Sequence, residues 1–249
     1  MRKLVQADID RILRRKALWI MVVAIFIIVM MAIFNRVFRA PDQGSGFAVA
    51  ACDGISLVGL YVGFFLILNI YADDFKSMTF INVVGRGISR DKLILAKFID
   101  CLVILFNMYV IAGLMTLFMK ITTGTLLTPT QSKYLFLNSL ANLLCITAAV
   151  MIAAFFFYMT ENAVMGVIVY IICTIILPMV LKLVGLLPGL AGYHLERYYF
   201  YGFASAGITD FMIGDVLKGL GAMLGIVVIY IGGSLAATIL LFRKKELDF

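Results

Sequence analysis

The sequence predicts an all-α polytopic membrane protein of about six transmembrane helices with both ends in the cytoplasm. Three observations carry that reading. The chain is 63% hydrophobic and only 14% charged, far from the roughly half apolar and one-quarter charged composition of soluble proteins. Six apolar runs approach or reach the roughly 20 helical residues needed to cross a hydrocarbon core about 30 Å thick. Lysine and arginine are distributed unequally on alternate sides of those runs. The formal charge of +7 would suggest nucleic acid in a soluble chain. Here the bases cluster between apolar runs instead of forming a stripe, so they read as topology signals and anionic-lipid contacts, and no nucleic-acid partner is expected.

The first element precedes the first span. Val5, Ile9, Ile12 and Leu13 recur at helical spacing, while Gln6, Asp10, Arg11, Arg14 and Arg15 occupy the other face, with Asp10 and Arg14 as an i, i+4 pair. A basic amphipathic stretch ending where a span begins reads as an interfacial helix over residues 1–16. The spans are expected at 17–34, 55–71, 98–119, 135–159, 163–184 and 220–242. Only Thr160, Glu161 and Asn162 separate the fourth from the fifth, which demands a tight antiparallel hairpin. The first run is about 18 residues long with no small-x-small site close behind it, so it reads as a retained span.

Orientation follows from the basic residues. Segments 1–16 and 72–97 and the tail carry six, five and three of them, fourteen on one side. The other side carries seven: Arg36, Arg39, Lys120, Lys133, Lys182, Arg197 and Lys218. The richer side is retained in the cytoplasm. The four cysteines are widely spaced, and Cys101, Cys145 and Cys173 lie within apolar runs as small buried hydrophobes. Cys52 follows a weak lipid-attachment pattern, but Arg36, Arg39 and Asp42 separate it from the preceding apolar run, which argues against lipidation.

No phosphate-cradling G-x-x-x-x-G-K-[ST] loop occurs, so the chain is not expected to hydrolyse ATP alone. With His194 its one histidine, it lacks the paired histidines of a zinc protease. No catalytic, cofactor or metal residue is assigned, and Ser234, beside Gly232 and Gly233, has no base in its run. Asp100 is the main ionisable candidate for ion coupling, yet it lies three residues after Lys97, with which it can pair and snorkel. Asn69 and Asn107 suit hydrogen bonds between helices. In the last span Gly221 and Gly225, Gly232 and Ala236, and Gly233 and Ala237 are each four apart, a pattern for close helix packing, within the subunit in preference to a dimer seam.

The segment Tyr71 to Lys97 reads YADDFKSMTFINVVGRGISRDKLILAK. Asp73 and Asp74 suit a helix N-terminus, residues 75–84 a short helix, and Gly85 its left-handed end. In this loop the sequence resembles the ABC-2 type permeases of ATP-binding-cassette exporters. Their second cytoplasmic loop carries an acidic residue, a Gly-Thr, a Pro-x-Ser-Arg-like element and a lysine entering the third span. Asp74, Thr79, Ser89, Arg90 and Lys97 match it, while Met78 replaces the glycine and Gly87 the proline. The resemblance extends over nearly the whole chain and implies one membrane domain, 1–249. It also implies a coupling loop at 72–92 that docks a separate ABC ATPase, which supplies ATP and Mg, through Asp74, Phe75, Thr79, Ser89, Arg90 and Lys97. Such a permease works as a homodimer or beside a similar permease.

The outer segment, 185–219, is similar to the family's short re-entrant helices. Pro188, Gly189 and Gly192 break helices there, and Tyr198, Tyr199, Phe200 and Tyr201 are either an interfacial aromatic belt or an outer gate. Small six-span chains of this kind look most like permeases that export amphipathic toxin peptides such as phenol-soluble modulins, or that give immunity to lantibiotics. The expectation is therefore a peptide exporter of the bacterial cytoplasmic membrane. Its rivals are export of lipid-linked molecules or hydrophobic drugs, an ion-coupled transporter using Asp100, and a membrane scaffold or enzyme without transport.

Overall fold

The computed structural model describes residues 2–37, 43–72, 85, 89–187 and 195–244. Among them there is no strand, and six helices are long and apolar enough to cross a membrane. The elements are α1 (Arg2–Leu13), α2 (Lys16–Val37), α3 (Gln43–Leu66, extended by a π-helical turn, Ile67–Ala72), α4 (Arg90–Thr123) and α5 (Pro129–Thr160). Then follow α6 (Ala163–Val184), a 3-10 turn (Leu195–Tyr198), α7 (Phe200–Ile213) and α8 (Val216–Arg243). π-Helical stretches interrupt α6 at Ile172–Ile176 and α8 at Ile226–Gly232.

Apolar runs locate the embedded part of each helix, but capping chemistry sets its ends. The fourth span is expected from residue 135, yet α5 starts at Pro129, because Thr128 and Gln131 form a reciprocal capping box with proline in the first turn. Likewise α3 begins twelve residues before the expected 55, and α4 eight before the expected 98. At 34 residues α4 is about 51 Å long at 1.5 Å per residue, well beyond the hydrocarbon thickness. Gly124 closes it in the left-handed conformation, φ 65°.

The expected hairpin between the fourth and fifth spans is present. Glu161, exposed and left-handed at φ 55°, ends α5 by donating its N–H to the Phe157 carbonyl, and the Asn162 side chain accepts from Val164 N–H to start α6.

The core lies around α3 and α5, the two most enclosed spans, while α2, α6 and α8 keep most of their apolar surface outward. An α3 glycine face lets its neighbours come close. A methyl on Gly59 would collide with the Tyr109 hydroxyl of α4 and with Asn142 and Ile146 of α5, and one on Gly63 with the Tyr170 hydroxyl of α6, which donates to the Leu60 carbonyl at 2.9 Å. The spaced glycines of the last span behave differently. A methyl on Gly221 or Gly233 would meet nothing within 4 Å, and one on Gly225 would only touch Phe203 of α7, 3.5 Å away, whereas one on Gly219, outside that spacing, would press against the Phe211 ring at 2.6 Å. Spacing identifies small residues but not the side of a helix that a neighbour occupies. All four cysteines are buried and unpaired with one another, Cys52 inside α3.

Candidate coupling end and aromatic cluster

The three base-rich segments, as far as they are described, meet at one end of the bundle. Lys97 of α4 is 3% exposed, and its ammonium lies 2.6 Å from the Asp8 carboxylate of α1, which is also 3.3 Å from Arg11. Asp100, one turn further along α4, is fully buried. The expectation that Lys97 and Asp100 snorkel to water is therefore corrected: both are enclosed, and Lys97 lies against Asp8 of α1. An amphipathic helix docked over the end of α4 excludes water from a site that sequence alone leaves open. Arg15, between α1 and α2, donates to the side-chain amide oxygen of Asn69 at 2.8 Å. Asn69 thus joins two elements as expected, whereas Asn107 bonds back to the Val103 carbonyl of its own helix.

At the start of α4, Ser89 is its extended N-cap residue, exposed and without a side-chain cap bond. Arg90 lies 5.8 Å from the Phe242 ring centre and donates to the Phe242 carbonyl at 3.1 Å. Its neighbour Asp91 accepts two hydrogen bonds from Arg243, that from Nε at 2.8 Å. The loop's exit is thereby fastened to the end of α8. Below it Tyr71, Phe157, Tyr158 and Phe242 form a buried aromatic group, and the Cys101 sulfur is 3.5 Å from the Tyr71 hydroxyl. Asp74, Phe75 and Thr79, like His194, lie outside the described residues.

The four aromatic residues of the outer segment are not equivalent. Tyr198 is 71% exposed, Tyr199 and Phe200 are buried, and Tyr201 is half-buried. The Tyr199 hydroxyl donates to the Cys173 carbonyl in the π-helical stretch of α6, and Tyr199 and Phe200 both pack edge-on against Tyr230 in that of α8. Cys173 and Tyr230 are near mid-length of their helices. So is Cys145 of α5, whose sulfur is 3.7 Å from the Phe200 carbonyl. At the other end of α7, Lys133 near the start of α5 reaches the Phe211 carbonyl at 2.5 Å. Hence α7 runs antiparallel to the first half of α5, and Tyr199 and Phe200 lie level with the middle of three spans rather than at their ends. Gly202 lets the preceding 3-10 turn fold against the start of α7, since a methyl there would overlap the Glu196 carbonyl.

Sequence reading misses a further polar node. The Tyr109 hydroxyl of α4 donates to the Asn142 side-chain oxygen of α5, and the Asn142 amide donates to Ser56 of α3 at 3.1 Å. An asparagine within an apolar run is the available signal. Two grooves flank α5. Against α4 lies an apolar one of about 380 Å³, lined by Phe106, Val110, Leu117, Phe136, Leu140 and Leu143, with Lys120 at one end. Against α7 lies a smaller polar one. Among the described residues no group of His, Cys, Asp and Glu could hold a metal ion.

The family model described as ABC-2 family transporter protein matches residues 4–177. The chain belongs to the ABC-2 transporter family. The match includes α1 to α5, the loop with Asp74 and Arg90, and the first part of α6, while α7 and α8 lie beyond it. Comparison with curated proteins gave no match. Membership makes the protein a multi-pass membrane permease of an ABC transporter, and in this family such a subunit pairs with an ABC ATPase. It also displaces the ion-coupled transporter built on Asp100.

Proposed function

We propose that this permease exports amphipathic peptides across the bacterial cytoplasmic membrane, as a homodimer or beside a similar permease. The observation that carries the substrate class is the apolar groove between α4 and α5. Its wall is hydrocarbon apart from a few hydroxyls and Lys120, and burying charge there would cost several kcal/mol, of order 2.5–3.5 for each charged side chain on insertion scales. A molecule with one apolar face and a charged or polar flank suits such a surface better than a small ion or free sugar.

In this reading the richer basic end is cytoplasmic, and α1 lies in the interface. The ATPase docks on residues 72–92, with Ser89 and Arg90 at the exit of that loop and Lys97 anchoring the helix behind it. ATP and Mg act on the partner. Asp74, Phe75 and Thr79 belong to the docking segment by resemblance to the family. Residues 185–219 form a re-entrant outer segment, with Tyr198, Tyr199, Phe200 and Tyr201 as the outer gate. The mid-span level of Tyr199 and Phe200 supports a gate over a surface belt.

The test is ATP hydrolysis by the permease and its ATPase together in proteoliposomes. An amphipathic helical peptide should stimulate it at concentrations where a scrambled peptide of equal charge does not. Equal stimulation by both, or by neither, sinks the substrate class. Because the groove is open to the bilayer side, a lipid-linked molecule is the second reading, and stimulation by such a lipid alone would favour it.

A further inference from the structure

The two sides of α5 differ in chemistry over the half of the helix that starts at Pro129. Toward α4 the groove is lined by Leu135, Phe136, Leu140 and Leu143. Toward α7 a recess of about 230 Å³ is lined by Tyr134, Asn138 and Asn142 of α5 and by Tyr201, Ser205 and Thr209 of α7. Those three α7 residues are four apart and share one face. They also border a wider cavity of about 560 Å³, whose walls hold Lys182, Arg197, Glu196 and Asp210. The two spaces therefore adjoin along this face of α7, with neutral hydrogen-bonding groups lining the narrower one and charges of both signs in the walls of the wider one.

Helix packing accounts for part of this arrangement. Asn142 is committed to Tyr109 and Ser56, Asn138 interacts with the Cys52 thiol of α3, and the Thr209 hydroxyl donates to the Ser205 carbonyl at 2.9 Å while its lone pairs stay free to accept. Among the described residues the hydroxyls of Tyr134, Tyr201 and Ser205 make no hydrogen bond, and they line the recess. Polar groups placed beside apolar spans cost free energy unless water or a ligand satisfies them. Simple packing between α5 and α7 would be served better by alanine and leucine at these positions.

We propose that this recess binds the polar face of the transported peptide. Uncharged polar side chains of the peptide hydrogen-bond to Asn138, Tyr201, Ser205 and Thr209, and its ammonium and carboxylate groups face the charged cavity beyond. The inference rests on the peptide reading above and adds a location and a chemistry for the polar half of the substrate, which the apolar groove does not serve.

The four native cysteines are buried, so Ser205→Cys introduces a single accessible thiol in the permease, and labelling is read on the permease band of its complex with the ATPase. The probe is a synthetic amphipathic helix of about five turns, roughly 18 residues, built of leucine, lysine, serine and glutamate and compared with an isomer of the same composition whose polar face is dispersed. The first peptide should slow maleimide labelling of Ser205→Cys but not of Leu217→Cys, while the isomer slows neither. Asn138→Leu and Thr209→Val should each raise the half-maximal stimulating concentration about tenfold, as loss of a hydrogen bond to a buried ligand group does. Stimulated hydrolysis without protection of Ser205→Cys overturns this site and leaves the peptide reading standing. Protection by both isomers alike overturns the site as well. Absence of both stimulation and protection fails the peptide reading, and the site falls with it.

Discussion

The buried Lys97 ammonium, 2.6 Å from the Asp8 carboxylate, ties the N-terminal helix to the third span. A charge enclosed with its partner contributes little net stability compared with an apolar pair, but losing one partner is costly because the other stays desolvated. Asp8→Ala should therefore destabilise the permease by about 3–5 kcal/mol, and Asp8→Leu with Lys97→Met should recover most of that loss. Thermal unfolding of the detergent-solubilised protein measures both. Equal stability of the single and double variants would mean that α1 is not held by this pair.

Arg90 and Arg243 connect the loop exit to the end of α8, so their removal should uncouple the partner more than it unfolds the chain. Arg90→Ala loses a carbonyl bond and a cation–π contact worth about 0.5–1 kcal/mol, a two- to fivefold effect. Transport per ATP hydrolysed should fall by about that factor, two- to fivefold. For Asp91→Arg the defect should be relieved by Arg243→Asp. Failure of the exchanged pair to restore coupling would show that Asp91 and Arg243 act independently.

Orientation has a direct check. Lys92 is exposed near the loop exit, and Leu126 is exposed between α4 and α5. In intact cells an impermeant thiol reagent should label Leu126→Cys and spare Lys92→Cys until the membrane is opened. The reverse pattern would place the basic end outside and overturn the docking of an ATPase there.

Glycine substitutions separate packing inside the subunit from packing between subunits. Gly63→Ala drives a methyl into the Tyr170 ring and should cost about 1–3 kcal/mol, as overpacking does. Gly221→Ala meets nothing within the chain, so it should leave the stability of the isolated subunit unchanged or slightly higher through helix propensity. Weaker assembly of the Gly221→Ala subunits, measured by cross-linking, would then place that face at a seam between copies.

Much of the fold is legible in the sequence because the bilayer allows so few solutions. Apolar run length locates all six spans, and the three residues Thr160 to Asn162 leave only a hairpin. The true helix ends are not legible, because capping by Thr128 and the left-handed Gly124 depends on residues outside the apolar windows. The amphipathic pattern around Ile9 and Ile12 reveals α1, but not that Asp8 reaches Lys97, eighty-nine positions away. Asn142 looks like any polar residue in a span until Tyr109 and Ser56 are brought to it. For Tyr199 and Phe200 the sequence leaves interfacial belt and outer gate both open, because it does not show that α7 turns back alongside α5. Arg90 and Ser89 stand out through family resemblance, whereas the fastening of Arg90 to Phe242 and of Asp91 to Arg243 requires the last helix to be in place.

The Glu161 turn also constrains how the chain is laid into the bilayer. With the Asn162 side chain already starting α6 one residue after Glu161 ends α5, no slack remains for one helix to settle while the other waits in water. The two must leave the insertion machinery side by side, as a preformed unit. Glu161 then stays at the surface it first met, and a lengthened connection should be the change that lets one of the pair insert in the wrong direction.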